Sequence, residues 1–388
     1  MTTAADTGFD LTLTEEQELA QRAARDFATE KILPRAAEID DQGKLPPELL
    51  REMAGLGFMG TYVPERYGGS GLDAVSYVLI LEEINRACAS TGVMLCSHVS
   101  LAVDPILHHG SDAQKEKYLP KLARGEWIGC FALSEPASGS DAAAMRTAAR
   151  RDGNSWILNG TKNFITNGSL ANVAIVFAQT NPAQKHKGIA AFIVEKGTPG
   201  FSVGKLEKKL GIRGSDTAQL IFQDARVPAA SLLGEADEGF RIALSTLDGG
   251  RISIAAQAVG IARACLEDSL AYAKQREAFG KKVADFQAIQ WMLADMATEI
   301  DAARLLTWRA AALKDAGEDH ILAAAEAKLF ASDVAVKAAR DCVQIFGGYG
   351  YLKDFPAERH YRDAKITEIY EGTSEIMKLV IAEEILKE

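Results

Sequence analysis

The sequence predicts an α+β multidomain fold with an N-terminal helical domain, a middle antiparallel β domain and a C-terminal domain built like a four-helix bundle. Apolar residues recur at helical spacing in the first and last parts of the chain. Short β-rich runs separated by Gly, Asn and Pro lie between them. With 388 residues, the chain is also too long for one compact core. We expect domains at residues 1–122, 123–234 and 235–388.

The N-terminal part reads as a series of short helices. The first is expected to open after Leu11, with Thr14 as its N-cap and Gln17 completing a capping box. Two further helices are predicted over Pro47–Gly55 and Ala74–Ala87. We therefore expect this part to be entirely helical.

The middle part contains four β-rich runs, which begin at Trp156, Val173, Ile189 and Leu220. No helical stretch alternates with them. This pattern favours antiparallel strands in a small β domain over a parallel α/β sheet.

The last part is dominated by long amphipathic helices, predicted at about 239–276, 286–316 and 322–346. Their alanine-rich faces suit close helix packing. Long helices joined by short loops indicate an antiparallel bundle.

Composition excludes several classes of function. The formal net charge is −10 and no basic block occurs, so neither nucleic acid nor an anionic membrane is an expected partner. We expect no membrane span, since no apolar run of sufficient length is evident. Residues 1–6 do not resemble a secretory signal. The five cysteines are dispersed and none forms Cys-x-x-Cys, which predicts reduced thiols, no metal site and a cytoplasmic location.

Gly55-Leu-Gly-Phe-Met-Gly60 matches the G-x-G-x-x-G pattern of dinucleotide-binding proteins. That fingerprint must follow a strand and open a helix, whereas a helix precedes this one. We interpret it as a helix end with glycine caps.

Five other segments carry residues suited to ligand binding. Small residues and exposed N–H groups at 131–141 could form a concavity, and Asn163–Gly168 places an aromatic and a hydroxyl residue two apart. Arg276–Gly280 could hold a phosphate and an aromatic base, and the glycines of Gln344–Gly350 allow close backbone approach. A glutamate in 368–375 could serve as a base in a cleft. Each also reads as an ordinary turn or helix end, so these residues alone name no reaction.

In this order and at these distances, the segments resemble those of the acyl-CoA dehydrogenase family, from about Leu11 to Glu388. Phe131–Asp141 is similar to one family signature, and the segments around Gln344 and Glu371 are similar to a second. The resemblance implies an FAD enzyme that oxidises acyl-CoA to trans-2-enoyl-CoA. In that family a carboxylate removes the α-proton and flavin N5 accepts the β-hydride. Glu371 matches the base, whereas Gly250 stands where other members carry theirs.

The resemblance also assigns the remaining site residues. Those matching FAD contacts are Phe131, Leu133, Ser134, Ser140, Phe164, Thr166, Arg276, Phe279, Gln287, Gln344, Gly347, Gly348, Thr373 and Glu375. Those matching substrate contacts are Ser140, Asp248, Arg251, Gln257, Thr367, Tyr370 and Gly372. Arg276, Phe279 and Gln287 match positions that hold the FAD of a neighbouring subunit, which implies a homotetramer built as a dimer of dimers.

Substrate size is predicted from two positions. Gln257 and Thr367 resemble residues that close the acyl pocket in short-chain members, and Gly92 replaces the arginine of glutaryl-specific members. We expect a short-chain acyl-CoA substrate and an electron-transfer flavoprotein as the electron acceptor. A branched short acyl-CoA or a carrier-protein-bound acyl group is the alternative. An acyl-CoA oxidase and a flavin-free helical scaffold are weaker rivals.

Overall fold

The computed structural model describes residues 12–387, so Leu11, Glu388 and the residues 1–6 considered above lie outside the described part. It confirms the predicted arrangement of helical ends around a β-sheet domain. The N-terminal helices are α1 (Glu15–Phe27), α2 (Ala36–Gln42), α3 (Pro47–Gly55), α4 (Ala74–Ala87), α5 (Ala89–Cys96), α6 (Asp104–His109) and α7 (Asp112–Ala123).

Side-chain caps set the starts of several helices. Thr14 and Gln17 form the predicted capping box of α1, and Asp73 caps α4 by accepting a hydrogen bond from the Ser76 N–H. α3 ends at Gly55, and Gly57 adopts the left-handed conformation with φ of 79°. The G-x-G-x-x-G pattern is thus a helix end, as expected.

Helices α5 and α6 are joined by a π-helical stretch, Ser97–Val103, which was not predicted. The resulting segment Ala89–His109 is long and apolar enough to cross a membrane, but 94% of its most apolar window is buried inside the protein. It is therefore a core element that packs against α4, α8 and the sheet. π-Helical turns concentrate at functional sites.

The middle part forms one eight-stranded sheet with the order β6-β7-β3-β2-β4-β5-β8, in which β1 pairs with β4. Its strands are β1 (Gly129–Ala132), β2 (Ala148–Asp152), β3 (Ser155–Thr166), β4 (Val173–Gln179), β5 (Ile189–Glu195), β6 (Phe201–Leu206), β7 (Thr217–Pro228) and β8 (Leu232–Leu233). Most pairs are antiparallel, but β1 and β2 run parallel to β4, which corrects the purely antiparallel expectation. The β2–β3 hairpin lies between β1 and β4 in the chain and supplies the long connection that parallel pairing needs.

The C-terminal part contains α8 (Gly239–Gln275), α9 (Gln287–Asp315), α10 (Ile321–Phe346), α11 (Ala357–Ala364) and α12 (Ser374–Ile385), with the short strands β9 (Glu277–Ala278) and β10 (Lys281–Lys282) after α8. Helices α8, α9 and α10 pack together, and α8 also contacts α4 and α5. α8 is the axis on which the site is built. The domain boundaries at 122/123 and 234/235 stay a prediction.

Candidate active site

Glu371 lies in the loop between α11 and α12 with a left-handed backbone. Its φ is 53°, and Gly372 follows with φ of 103°. A non-glycine residue in this region is uncommon and persists only where the surroundings enforce it, as at active sites. The loop therefore holds Glu371 in one orientation.

The carboxylate of Glu371 rests directly on Gly250 of α8. A Cβ built on Gly250 would lie 3.0 Å from Glu371 Cδ, closer still to Oε2, and 2.9 Å from Leu101 Cδ2. Only a glycine at position 250 leaves room for the carboxylate. A side chain at position 250, where other family members carry the base, would thus begin in the space that the Glu371 carboxylate occupies.

Burial dominates the electrostatics of this carboxylate. Although part of the residue reaches the surface, Oε2 is buried and finds no hydrogen-bond partner among the described residues. Burial raises the pKa of Glu371 to about 8, while the charges of Lys328 and Arg251 oppose the rise. A carboxylate with a raised proton affinity is a stronger base.

Asp248 and Arg251 lie one turn apart on α8 and form a largely buried ion pair of 2.6 Å. Arg251 Nε nevertheless lacks a partner, and so does the buried Oγ of Ser374, which follows the base loop. Together with Glu371 Oε2, these atoms form a set of buried polar groups without partners in the described chain. Because such groups are normally hydrogen-bonded, the unpartnered atoms of Glu371 and of Arg251, whose charge acts on Glu371, indicate a place for a polar ligand.

The predicted acyl-pocket residues surround the base loop. Gln257 of α8 is fully buried; its amide donates to the Ala89 carbonyl at 3.3 Å, and its oxygen accepts from the Tyr370 hydroxyl. Thr367 is also fully buried, and its hydroxyl donates to the Ala364 carbonyl at 2.7 Å. Tyr370 thus ties the loop of the base to Gln257.

The two segments assigned to the flavin ring lie side by side. The Asn163 N–H donates to the Ser134 carbonyl at 2.8 Å, which places Phe164 beside Ser134. Phe131 and Leu133 are buried in an apolar cluster that also contains Leu101. Leu101 therefore links this region to the carboxylate on Gly250.

A buried ion pair fixes the shape of the first flavin segment. Lys162 of β3 is fully buried and donates to the Leu133 carbonyl at 3.0 Å and to Glu135 at 2.8 Å. Glu135 also accepts from the N–H groups of Arg146 and Thr147. Every buried charge in this arrangement is partnered, so it specifies one conformation of residues 133–135.

Six predicted cofactor residues gather elsewhere, at the far ends of α8 and α10: Arg276, Phe279, Gln287, Gln344, Gly347 and Gly348. Tyr272 stacks on Phe346 at 4.1 Å, and the Arg276 guanidinium lies 5.3 Å from the ring centre of Tyr349. The set is exposed, and Phe279 is 97% accessible. We call it the far set. Along α8, it lies about 38 Å from Gly250, at 1.5 Å per residue.

The other predicted residues flank the base or the flavin segments. Thr373 caps α12 by accepting from the Ile376 N–H, and Glu375 is exposed in the first turn of that helix. Thr166 ends β3 and is half-buried, whereas Ser140 lies exposed in the loop after β1.

Backbone strain marks three of these positions. Phe164, Phe279 and Glu371 are among the seven non-glycine residues with positive φ in the described chain. A bulky side chain in this region is an outlier. This signal is independent of the sequence motifs. It falls once in the segments assigned to the flavin ring, once in the far set and once in the loop that carries Glu371.

Sequence reasoning missed Lys328, Leu101 and the Glu135–Lys162 pair. Lys328 falls at helical spacing among the buried Ala324, Ala331 and Ala335, so the apolar face of α10 did contain a signal: a lysine where an apolar residue is expected. Leu101 offered no such signal, because it is an apolar residue in an apolar helix.

Comparison with known proteins identifies the architecture. Three family models match: the N-terminal domain of acyl-CoA dehydrogenase over residues 14–126, the middle domain over 130–225 and the C-terminal domain over 237–386. The chain is 52% identical to the human mitochondrial short-chain specific acyl-CoA dehydrogenase over 97% of this chain and 91% of the human protein.

Two solved structures are also similar. Butyryl-CoA dehydrogenase from Megasphaera elsdenii matches with a TM-score of 0.96 and 47% identity, covering 97% of this chain and all of that one. A chain solved in a study of the electron transferring flavoprotein of Acidaminococcus fermentans matches with a TM-score of 0.97 and 49% identity, covering 98% and 100%.

Fold and site together define a flavin-dependent oxidoreductase with a buried, unpartnered carboxylate in its site. The chain belongs to the acyl-CoA dehydrogenase family, whose members use FAD.

The residues present fit that cofactor. Phe164 is 64% exposed beside Ser134 and offers a flat apolar surface to a ring. In the far set, a Cβ built on Gly347 or Gly348 would meet nothing within 4 Å, which leaves space for close approach of a ligand to the backbone. The surface at Phe164 thus suits a flat ring, and the far set suits a phosphate-bearing group.

Proposed function

We propose that this protein dehydrogenates a short-chain acyl-CoA to the trans-2-enoyl-CoA, with Glu371 as the base for the α-proton and an electron-transfer flavoprotein as the electron acceptor. The observation that carries the proposal is the Glu371 carboxylate, which is buried on Gly250 with Oε2 unpartnered and the pKa raised to about 8.

Glu371 would take the proton because its carboxylate gains little stabilisation from the protein. Oε2 accepts no hydrogen bond from the described residues, so a C–H presented to it meets a poorly solvated and therefore reactive base. The Glu371 N–H would donate to the thioester carbonyl and stabilise the charge that develops on its oxygen. Arg251 and Asp248 would contact the CoA portion, where Arg251 Nε is free to donate.

FAD would be held by Phe131, Leu133, Ser134, Phe164, Thr166, Thr373 and Glu375 of one chain. When bound, FAD supplies a hydride acceptor for the β-carbon of the substrate. The buried Lys162–Glu135 pair keeps the carbonyl of Leu133 fixed, so this wall of the site is preorganised.

The far set would hold the FAD of a second copy. It is about 38 Å from Gly250 along α8, which is too distant for it to complete the site of its own chain in the way the family resemblance assigns. Its exposed Phe279 and open glycines suit an intersubunit contact. We therefore propose a homotetramer assembled as a dimer of dimers. A cytoplasmic location is proposed separately, from the dispersed cysteines.

A short acyl chain is supported by the end of the pocket at Gln257. The amide is fully buried and tied to Tyr370 and Ala89, so it cannot swing away to admit a long tail. An alkyl tail packed against the Gln257 amide would also leave the polar atoms of that amide poorly hydrogen-bonded. The similar proteins named short-chain specific acyl-CoA dehydrogenase and butyryl-CoA dehydrogenase agree with this size.

The test is anaerobic flavin reduction by straight-chain acyl-CoA of four to eight carbons and by branched short acyl-CoA. We expect the rate to peak at four to six carbons and to fall at eight, since each methylene without a place forfeits about 0.8 kcal/mol of burial. Gln257→Ala and Thr367→Gly together should shift kcat/KM toward octanoyl-CoA.

Several results would contradict parts of the proposal. A wild type that prefers octanoyl-CoA, or opened variants with an unchanged chain-length profile, removes the short-chain assignment. A clear preference for branched or carrier-bound acyl groups favours the alternative substrate with the same chemistry. A protein that reduces no flavin with any thioester contradicts the dehydrogenase function itself.

A further inference from the structure

Lys328 is a fully buried lysine on α10, close to the loop of the base. Its Nζ donates a hydrogen bond of 2.6 Å to the carbonyl of Gly372, the residue that follows Glu371. A buried ammonium is costly and is retained in proteins where it has a specific partner or role.

The Gly372 carbonyl, which accepts the hydrogen bond from Lys328, belongs to the residue directly after Glu371. Glu371 and Gly372 both have positive φ, so holding this carbonyl constrains the backbone turn from which the Glu371 side chain projects. Lys328 supplies this partly buried carbonyl with a donor that is charged and therefore strong.

Helix α10 holds this loop at a second point. The Ser332 hydroxyl, one turn after Lys328, donates to the Thr367 carbonyl at 2.8 Å. The two contacts bracket residues 367–372, so α10 acts as a rigid support for the whole base loop. The contact at Thr367 fixes its start, and the contact at Gly372 fixes its end.

We propose that Lys328 is a positioning residue for the reaction: by gripping the Gly372 carbonyl, it holds the Glu371 carboxylate over Gly250 and places a buried positive charge beside it. The proposal deepens the function given above and rests on it. It assigns to α10 a role in the reaction that the sequence motifs do not include.

The charges around this pair come from three elements. Arg251, which is paired with Asp248 on α8, faces Glu371 as a second cation, and Glu368 and Asp333 act on Lys328. Burial lowers the pKa of Lys328 to about 8, although Glu371 raises it. Lys328 is thus largely charged at pH 7, and the two groups titrate over the same range as a pair.

The sign of the expected pH effect follows. Removing the Lys328 charge disfavours the ionised carboxylate, so the pKa of Glu371 should rise further. Since the base must be ionised, the rate at pH 7 should fall. At high pH Lys328 of the wild type is itself neutral, so the difference in charge should vanish there.

Two substitutions separate the hydrogen bond from the charge. Lys328→Gln keeps a donor without the charge, and we expect the midpoint of the pH–rate profile for flavin reduction to rise by about one unit with the high-pH plateau retained. Lys328→Met loses both, and we expect the same shift with a plateau roughly 10- to 100-fold lower, the effect of a misplaced reacting group. Lys337→Met, at a half-buried lysine of the same helix that is paired with Glu299 of α9, is the control and should leave midpoint and plateau unchanged.

A second readout requires no turnover. The carboxyl stretch of Glu371, identified by its loss in Glu371→Gln, should titrate at higher pH in Lys328→Gln than in the wild type by infrared difference spectroscopy. An unchanged midpoint in both measurements overturns the proposal, and so does a wild-type plateau in Lys328→Met. If Lys328→Met does not fold, the midpoint of Lys328→Gln decides. If the wild type reduces no flavin, the dehydrogenase function fails while the infrared titration still tests Lys328.

Discussion

Two regions of the molecule, one around Gly250 of α8 and one beside the C-terminal end of that helix, present glycines in opposite surroundings. Gly250 is so crowded that a single added carbon would overlap Glu371 and Leu101, whereas Gly347 and Gly348, in the second region, have nothing within 4 Å of where a Cβ would lie. In the first region, Lys328, Gln257 and Tyr370 are tied by hydrogen bonds. In the second, Phe279 stands almost fully exposed.

This contrast teaches which parts of the site one chain completes by itself. The crowded region is finished within the chain, because every side chain that orients the base comes from the same molecule. The open region offers an exposed aromatic ring and bare backbone, which acquire partners only when another molecule arrives. Mutations should therefore act within a chain in the first region and between chains in the second.

The largest expected effect is in the crowded region. Glu371→Gln keeps the shape of the side chain but removes the proton acceptor, so flavin reduction by butyryl-CoA should fall by about 10²–10⁴-fold. Stopped-flow measurement under anaerobic conditions gives the rate, and the flavin spectrum shows whether FAD is retained. Glu116→Gln, at an exposed position of α7, is the control and should react at nearly the wild-type rate. Equal rates for Glu371→Gln and the wild type would show that another group is the base.

The open region should allow rescue between chains. Arg276→Ala is expected to lose FAD, because the guanidinium would serve the cofactor of a second copy. Co-expression of Arg276→Ala with Glu371→Gln should restore activity at one of the two sites in each mixed pair. At that site, the Arg276→Ala chain supplies the intact Glu371 and the Glu371→Gln chain supplies the intact far set.

The control for this rescue is a chain that carries both substitutions. Mixed with Arg276→Ala, it provides no intact far set, and activity should stay absent. If the two single variants give no recovery although they assemble together, the far set serves its own chain and the two-region interpretation is wrong.

A smaller effect is expected from filling the crowded glycine. Gly250→Ala should destabilise the protein by about 1–3 kcal/mol or displace the carboxylate, since overpacking a tight site forces neighbours to move. In the Glu371→Gly background, the same change should cost much less. A double-mutant cycle on urea unfolding measures this coupling. Additive costs would mean that the carboxylate does not occupy the space over Gly250 in solution.

The smallest effect is expected at Tyr370. Tyr370→Phe removes one hydrogen bond to Gln257 and should lower the free energy of unfolding by about 1 kcal/mol, measured by urea denaturation. It should also loosen the end of the acyl pocket, so that hexanoyl-CoA gains relative to butyryl-CoA. No change in either quantity would indicate that Gln257 is held by the Ala89 carbonyl alone.

Much of the fold was readable from local chemistry. The bounds of α3 and α4 match the prediction because Pro47, Gly55 and the cap at Asp73 are strong local signals. The parallel pairing of β1 and β2 with β4 was not predictable, since strand direction depends on contacts between distant segments and these strands have only four and five residues. The π-helical stretch also lacks a sequence signature.

For the site, the motifs located Glu371 and the segments around it but not the groups that control it. Lys328 stands out in the sequence only as a lysine on the apolar face of α10, and its contact with the Gly372 carbonyl arises only when α10 packs on the loop after α11. Gly250 reads as a missing base, and its closeness to the carboxylate is a property of two segments 121 residues apart in the chain. Tertiary packing alone reveals both.

The overlap at Gly250 also constrains how this site can change during evolution. The side chain of a glutamate at 250 would begin where the Glu371 carboxylate already lies, so the two carboxylates could not both take their positions without a shift. A lineage that moves the base from the loop to the helix must first shrink residue 371 or accept two carboxylates that share one proton. Exchange between the two arrangements would therefore require coordinated changes at positions 250 and 371.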